Sequence, residues 1–300
     1  MSIPADWLSL HSNELTVSID PQGAQLSVLR DQQGRDLLWD GDAAFWNGRA
    51  PILFPIVGAL HDGHYQWQGQ RYALPRHGFA RGRRFEVLEH DDISARLRLC
   101  ADPQTLVAYP FRFELEVSFR LAQGRLSVSA SVHNPGDAPL PASLGFHPAL
   151  RWPLPGAAAR DAHYLEFEQD EPAPIRRLDQ AGLLSGTPQA TPVEGRRLAL
   201  HDGLFAEDVI IFDQLASRAL SYGSAAGPRL RMEFPDATHL GLWTKPGAGF
   251  LCIEPWRGVA DPQGFSGTFD TKPGVFHVPP GGRSALTMHL TLQPGASPLA

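Results

Sequence analysis

Three hundred residues are enough for one large β domain or for two domains of ordinary size, with a substantial core in either case. The 26 basic and 32 acidic side chains leave a formal net charge of -6. That balance excludes a nucleic-acid surface and a polybasic membrane patch, so the expected ligand is not a polyanion.

The chain opens MSIPADWLSLHSNELTV, with no basic start leading into an apolar run. Nor does any stretch of ~18 apolar residues follow, which predicts a cytoplasmic, soluble protein. Alternation begins at Leu15, Val17 and Ile19. HYQW and RYAL then read as two strands separated by Gln68-Gly69-Gln70. FRFELEVSFRL puts Phe111, Phe113, Leu115, Val117 and Phe119 on one face, the pattern of a half-buried antiparallel strand. Ala122-Gln123-Gly124 turns it into Leu126, Val128, Ala130 and Val132. Pro172 to Glu194, rich in Pro, Gln, Gly and Thr, reads as loops. Alternation returns at Leu230, Met232 and Phe234, FLCI reads as a buried strand ending at Glu254, and Leu286, Met288, Leu290 and Leu292 form a last strand. The 29 glycines and 27 prolines are spread as single punctuators, not massed in a linker. No helix of ten or more residues and no repeat emerges, so the pattern predicts one all-β domain over residues 1–300, a large antiparallel sandwich. Cys100 and Cys252 sit beside apolar residues and read as reduced core side chains.

The chain has no P-loop, no HExxH, no CxxC and no GxSxG elbow. His61 and His64 in LHDGHY lie close to Asp62, but the Gly-bearing turn reads as a hairpin approach and not as a metal site. Three other segments place a histidine or a carboxylate beside Gly, Pro or an aromatic residue. They are LPRHGFARGRRFEV with His77, Phe79 and Arg81, SLGFHPAL with His147, and FLCIEPWRG with Glu254. An imidazole exchanges protons near neutral pH, and a carboxylate shielded from water becomes a stronger base. Such groups on opposite sides of a small molecule would make a proton-transfer pair. Pro148 and Pro255 bias the residues before them toward extended backbone, as expected for side chains held at strand ends.

HGFAR, GFHP and IEPW, in that order and preceded by APILFPIVGALHDGHY, resemble the aldose 1-epimerase (galactose mutarotase) family, and within it the LacX-like branch. The resemblance spans roughly residues 14–292. It implies the galactose-mutarotase-like supersandwich and interconversion of the α and β anomers of a free aldose, with no metal or organic cofactor. It also implies His147 as general acid, Glu254 as general base, and His77 as a group that assists at the ring oxygen and holds the substrate. Asp208 in FAEDVIIF matches the sugar-binding aspartate of the family, with Asp202 and Asp213 nearby. Trp256, Phe79 and Trp67 are candidates for packing on the apolar face of a pyranose.

One departure from the family stands out. The galactose-specific branch carries an arginine in the segment before the first motif, whereas Phe54-Pro55-Ile56-Val57-Gly58 has none. Arg49 and Arg81 are candidates to replace it, and HGFAR also resembles hexose-6-phosphate mutarotases, where arginines grip phosphate in bidentate fashion. The expected partner is therefore a monosaccharide or a sugar phosphate, bound by a monomer or homodimer. The alternatives to a mutarotase of free sugars are a hexose-6-phosphate mutarotase and a carbohydrate-binding protein without catalysis.

Overall fold

A computed structural model describes residues 4–157 and 159–293. Its largest element is a nine-stranded antiparallel sheet. From edge to edge it runs Arg197–Ala199, His163–Phe167, Ala219–Ser224, Arg229–Glu233, Arg283–Gln293, Arg125–His133, Glu114–Ala122, Ser94–Cys100 and Glu86–His90. The alternating sequences dictate its central part. Leu115, Val117, Phe119 and Leu121 lie opposite Val132, Ala130, Val128 and Leu126, and all eight face the main core. The intervening residues are polar and half-exposed, so one face of this region packs and the other is solvated. Gln123 and Gly124 close the hairpin with φ of 49° and 70°, and Gln68 and Gly69 close the smaller one with 47° and 74°. Positive φ at both loop residues is the primed turn whose twist matches the strands it joins.

The same alternation corrects one expectation. SARLRLC turns Ala95, Leu97 and Leu99 inward, which leaves Cys100 pointing out; it is exposed, whereas Cys252 is buried, and both are free thiols. The α-helix among the described residues is one turn and a half, Pro103–Ala108. Asp102 caps it by accepting from the Thr105 N–H at 2.7 Å, while Thr105 Oγ1 accepts from the Asp102 N–H at 2.9 Å. No helix among the described residues is long and apolar enough to cross a membrane.

The second large sheet is buried on both faces. It runs Ile210–Phe212, His239–Trp243, Phe250–Arg257, Leu144–Phe146 and Ile52–Leu53, with Ala149–Arg151 also paired to Phe250–Arg257. Period-two geometry sorts its residues. Leu251 and Ile253 join the main core between the sheets. Phe250 and Cys252 point the other way into one apolar cluster, and Trp256 into another. That far face is roofed by Trp39 and Trp46 on one side and by Leu178 and Leu184 of the Pro172–Glu194 stretch on the other.

Phe250–Arg257 corrects a second expectation, because the strand continues past Glu254 to Arg257. Its neighbour is the element that breaks. Leu144–Phe146 and Ala149–Arg151 are separated by His147-Pro148, opposite the stretch containing Glu254-Pro255. Neither proline has an N–H to place in a ladder, so regular pairing lapses where the two sequence motifs meet.

Candidate active site

The lapse in pairing is where the chemistry gathers. Glu254 falls on the far face of the sheet by parity with Phe250, Cys252 and Trp256, and His147 follows the interrupted strand onto the same face. His147 Nε2 lies 3.1 Å from Glu254 Oε2. The contact is too bent for a well-formed hydrogen bond, and Glu254 Oε2 and His147 Nδ1 are both buried without a hydrogen-bond partner. Buried polar atoms are nearly always paired, so two orphans at one cavity mark a place for a polar ligand.

Burial governs the charge state. Glu254 is 1% exposed and His147 8%. Desolvation, with a further push from the Asp208 charge, raises the Glu254 carboxyl well above its ordinary value. Desolvation likewise lowers His147 to about 3, with the Arg81 charge adding to it. Both shifts favour the uncharged form, so one proton is held by the pair as a unit.

The pair lines a cavity of about 360 Å³, within the range of small-molecule sites. One flat wall comes from missing side chains. A Cβ on Gly145 would stand 2.7 Å from Trp256 Cδ1, and one on Gly241 would collide with the other end of the same indole. Trp256 therefore lies across its two neighbouring strands. Trp46 stacks on the His147 imidazole at 4.9 Å and 28°, and Trp243 meets that imidazole edge-on at 6.0 Å.

His77 closes another wall, its ring 5.7 Å from that of His147. The Gly58 N–H donates to His77 Nδ1 at 3.1 Å, so the neutral ring carries its proton on Nε2. Burial, then His147 and the two neighbouring arginines, keeps His77 well below its ordinary value and hence neutral. Gly58 must itself be glycine: its φ is +77°, and a Cβ would stand 2.6 Å from Ala260. Asp208 lines the same cavity just before Ile210–Phe212, whereas Asp202 pairs with Arg160 at 2.6 Å and Asp213 with Arg176 at 3.3 Å. Arg81 reaches the cavity and donates to the Arg76 carbonyl at 2.9 Å.

Three expected contacts are not brought to the site. The Arg49 guanidinium lies 5.3 Å over Trp7 and donates to the Ser27 carbonyl, because its segment runs beside the strand Gln25–Asp31. Phe79 faces inward and packs with Phe54, Tyr109 and Phe113, and Trp67 packs on Phe111. The expected acid and base also stand side by side, not across a ligand.

The family model for aldose 1-epimerase matches residues 6–261. The chain belongs to the aldose 1-epimerase family. It is 31% identical to the chromosomal LacX protein of Lactococcus lactis over 295 residues, covering 95% of this chain and 99% of that one. Among solved structures it is similar to a galactose mutarotase related enzyme from Lactobacillus acidophilus, with a TM-score of 0.89, 27% identity, and 98% and 99% of the two chains covered. A galactose mutarotase-like protein from Lactobacillus casei gives a TM-score of 0.88 at 27% identity, covering 96% of this chain and all of that one. The antiparallel architecture built on these two large sheets is thus that of the galactose mutarotase-like proteins.

This member of the aldose 1-epimerase family has cavity residues that sequence reasoning missed: Trp46, Trp243 and Arg76. Arg76 had a signal, since it directly precedes His77. So did Trp243, which shares a strand face with Gly241, the residue opposite Glu254. Trp46 had none, because it reaches His147 from a loop about a hundred residues away.

Proposed function

We propose that the protein is a mutarotase that opens and recloses the ring of an aldose by general acid and base catalysis. The observation that carries this is the 3.1 Å approach of His147 to Glu254 at the wall of the cavity. The anomeric hydroxyl and the ring oxygen are bonded to the same carbon, so the groups that serve them must stand side by side. Glu254 takes the proton from the anomeric hydroxyl while His147, as imidazolium, gives one to the ring oxygen. The C1–O5 bond breaks, an aldehyde forms, C1–C2 rotates, and the reverse transfers close the other anomer. In the resting pair burial favours the neutral arrangement. A bound sugar donates to the carboxylate and accepts from the imidazolium, which favours moving the shared proton to His147. His77 Nε2–H is a neutral donor to the substrate, Asp208 is an acceptor for hydroxyls, and the Trp256 and Trp243 rings suit the C–H faces.

Polarimetry on freshly dissolved α-glucose and α-galactose tests this, with Glu254→Gln and His147→Asn each expected to lose ~10²–10⁴-fold in rate. Near-full activity in either variant removes its assignment. Sugar binding without any acceleration by the intact protein supports the non-catalytic alternative.

One observation favours a phosphorylated substrate as the second reading. Arg76 and Arg81 both line the cavity, and neither is paired with a carboxylate among the described residues. Two adjacent guanidinium groups suit a phosphate. Acceleration for free glucose but not for glucose 6-phosphate rejects this reading, and the opposite result selects it.

A further inference from the structure

The proposed acid–base pair has a third neighbour that its chemistry does not use. Cys252 lies two residues before Glu254 on one strand and so shares its face. A ring nitrogen of His147, the Cys252 sulfur and a Glu254 oxygen all lie within 4.8 Å of one another, and all three residues are buried. His147 Nδ1 and Glu254 Oε2 have no hydrogen-bond partner. Zinc holds imidazole, thiolate and carboxylate at roughly 2.0–2.3 Å, which sets its ligand atoms roughly 3–4 Å apart. The His147 to Glu254 contact is already 3.1 Å, so closing the site needs only side-chain rotation of the order of 1 Å.

We propose that His147, Cys252 and Glu254 form a three-ligand site for a thiophilic divalent cation of the zinc class, and that its occupation switches the pocket off. On binding, the Cys252 thiol and the His147–Glu254 pair each give one proton to solvent, so that thiolate, carboxylate and neutral imidazole coordinate. His147 and Glu254 each commit a lone pair to the metal, so neither can exchange a proton with a sugar. Of the three ligands, His147 and Glu254 line the cavity. A sulfur donor selects zinc or cobalt over magnesium and calcium, which prefer oxygen.

The switching half rests on the mutarotase reading, but the binding half does not, so its test begins with a spectrum. The whole chain carrying Cys100→Ser, which removes the exposed thiol, is titrated with Co²⁺. A thiolate-to-cobalt charge-transfer band saturating at one equivalent, and lost on adding Zn²⁺, is expected. The band should vanish in Cys252→Ala and in the bulkier Cys252→Val, with thermal melts identifying which variant stays folded. No band, or an undiminished band in a folded Cys252 variant, overturns the site. Mutarotation is then measured against Zn²⁺, and the concentration for half-inhibition is expected to rise at least about tenfold in the Cys252 variants, as even outer partners of a metal contribute roughly 10–100-fold. Equal inhibition with and without Cys252, or cobalt binding that leaves mutarotation unchanged, overturns the switch.

Discussion

Glu254 is a residue whose placement opposes its own stability. Its folded-state value lies well above the ordinary 4.5, so between those two values the unfolded chain releases a proton that the folded chain keeps. Fewer protons bound in the unfolded state means that stability falls as pH rises through that window, by up to about 1.4 kcal/mol per unit. Glu254→Gln abolishes this dependence. The variant should melt above the parent at pH 8, with the difference shrinking as the pH falls toward 4.5. Equal melting curves at both pH values would mean that Glu254 is charged when folded. His147 works the other way: its folded value of about 3 lies below the ordinary 6.5, so acidification through that interval destabilises the fold. Asp208 lines the cavity and, in the proposed mechanism, only accepts from sugar hydroxyls. Asp208→Ala should therefore raise KM with kcat little changed, the mark of binding that is uniform across ground and transition states.

At the level of the element, the strand Phe250–Arg257 carries two allegiances. Leu251 and Ile253 bind it to the main core, while Glu254 and Trp256 on its other face line the cavity floor. The floor depends on what its neighbours lack. Gly241 and Gly145 leave the space that the Trp256 indole occupies, so Gly241→Ala is expected to displace the ring. Overpacking of this kind costs about 1–3 kcal/mol. Denaturant unfolding should register that loss, and mutarotation should fall with it. A neutral effect on both would show that the indole has room to shift. That FLCI is a buried strand running into Glu254 could be anticipated from the sequence. The run through Pro255 to Arg257 could not, because a proline is tolerated there only where the neighbouring strand happens to be broken.

Across the whole molecule, the site is held by contacts between distant segments. Lys272 and Asp261 form a buried pair at 3.2 Å, with side chains 1% and 5% exposed. Lys272 also donates to the Val259 carbonyl, and Asp261 accepts from the His61 N–H at 2.9 Å. The Asp261 N–H donates to the Ala59 carbonyl at 2.9 Å, next to the Gly58 amide that orients His77. Lys272→Met strands a buried carboxylate, an effect worth about 3–5 kcal/mol. Denaturant unfolding is expected to show a loss of that size. Asp261→Asn with Lys272→Met, which removes both charges, should recover part of it; no recovery would mean that the pair is not the cause.

Much of this protein was legible in its chain. Period-two alternation in FRFELEVSFRL and in the last strand specifies half-buried antiparallel sheet, because adjacent side chains of a strand must face opposite sides. The family motifs marked His77, His147, Asp208, Arg81, Glu254 and Trp256, all of which line one cavity. Local rules could not decide which aromatic rings join them. Phe79 and Trp67 have sequence surroundings as suggestive as those of Trp256, yet they turn toward the core. Arg49 follows its segment to Trp7, while Arg76, Trp46 and Trp243 come to the cavity instead. Alternation along a strand fixes relative facing within one element, but which face looks onto a cavity depends on what packs over it. That covering comes from loops remote in sequence, and only the tertiary structure brings them there.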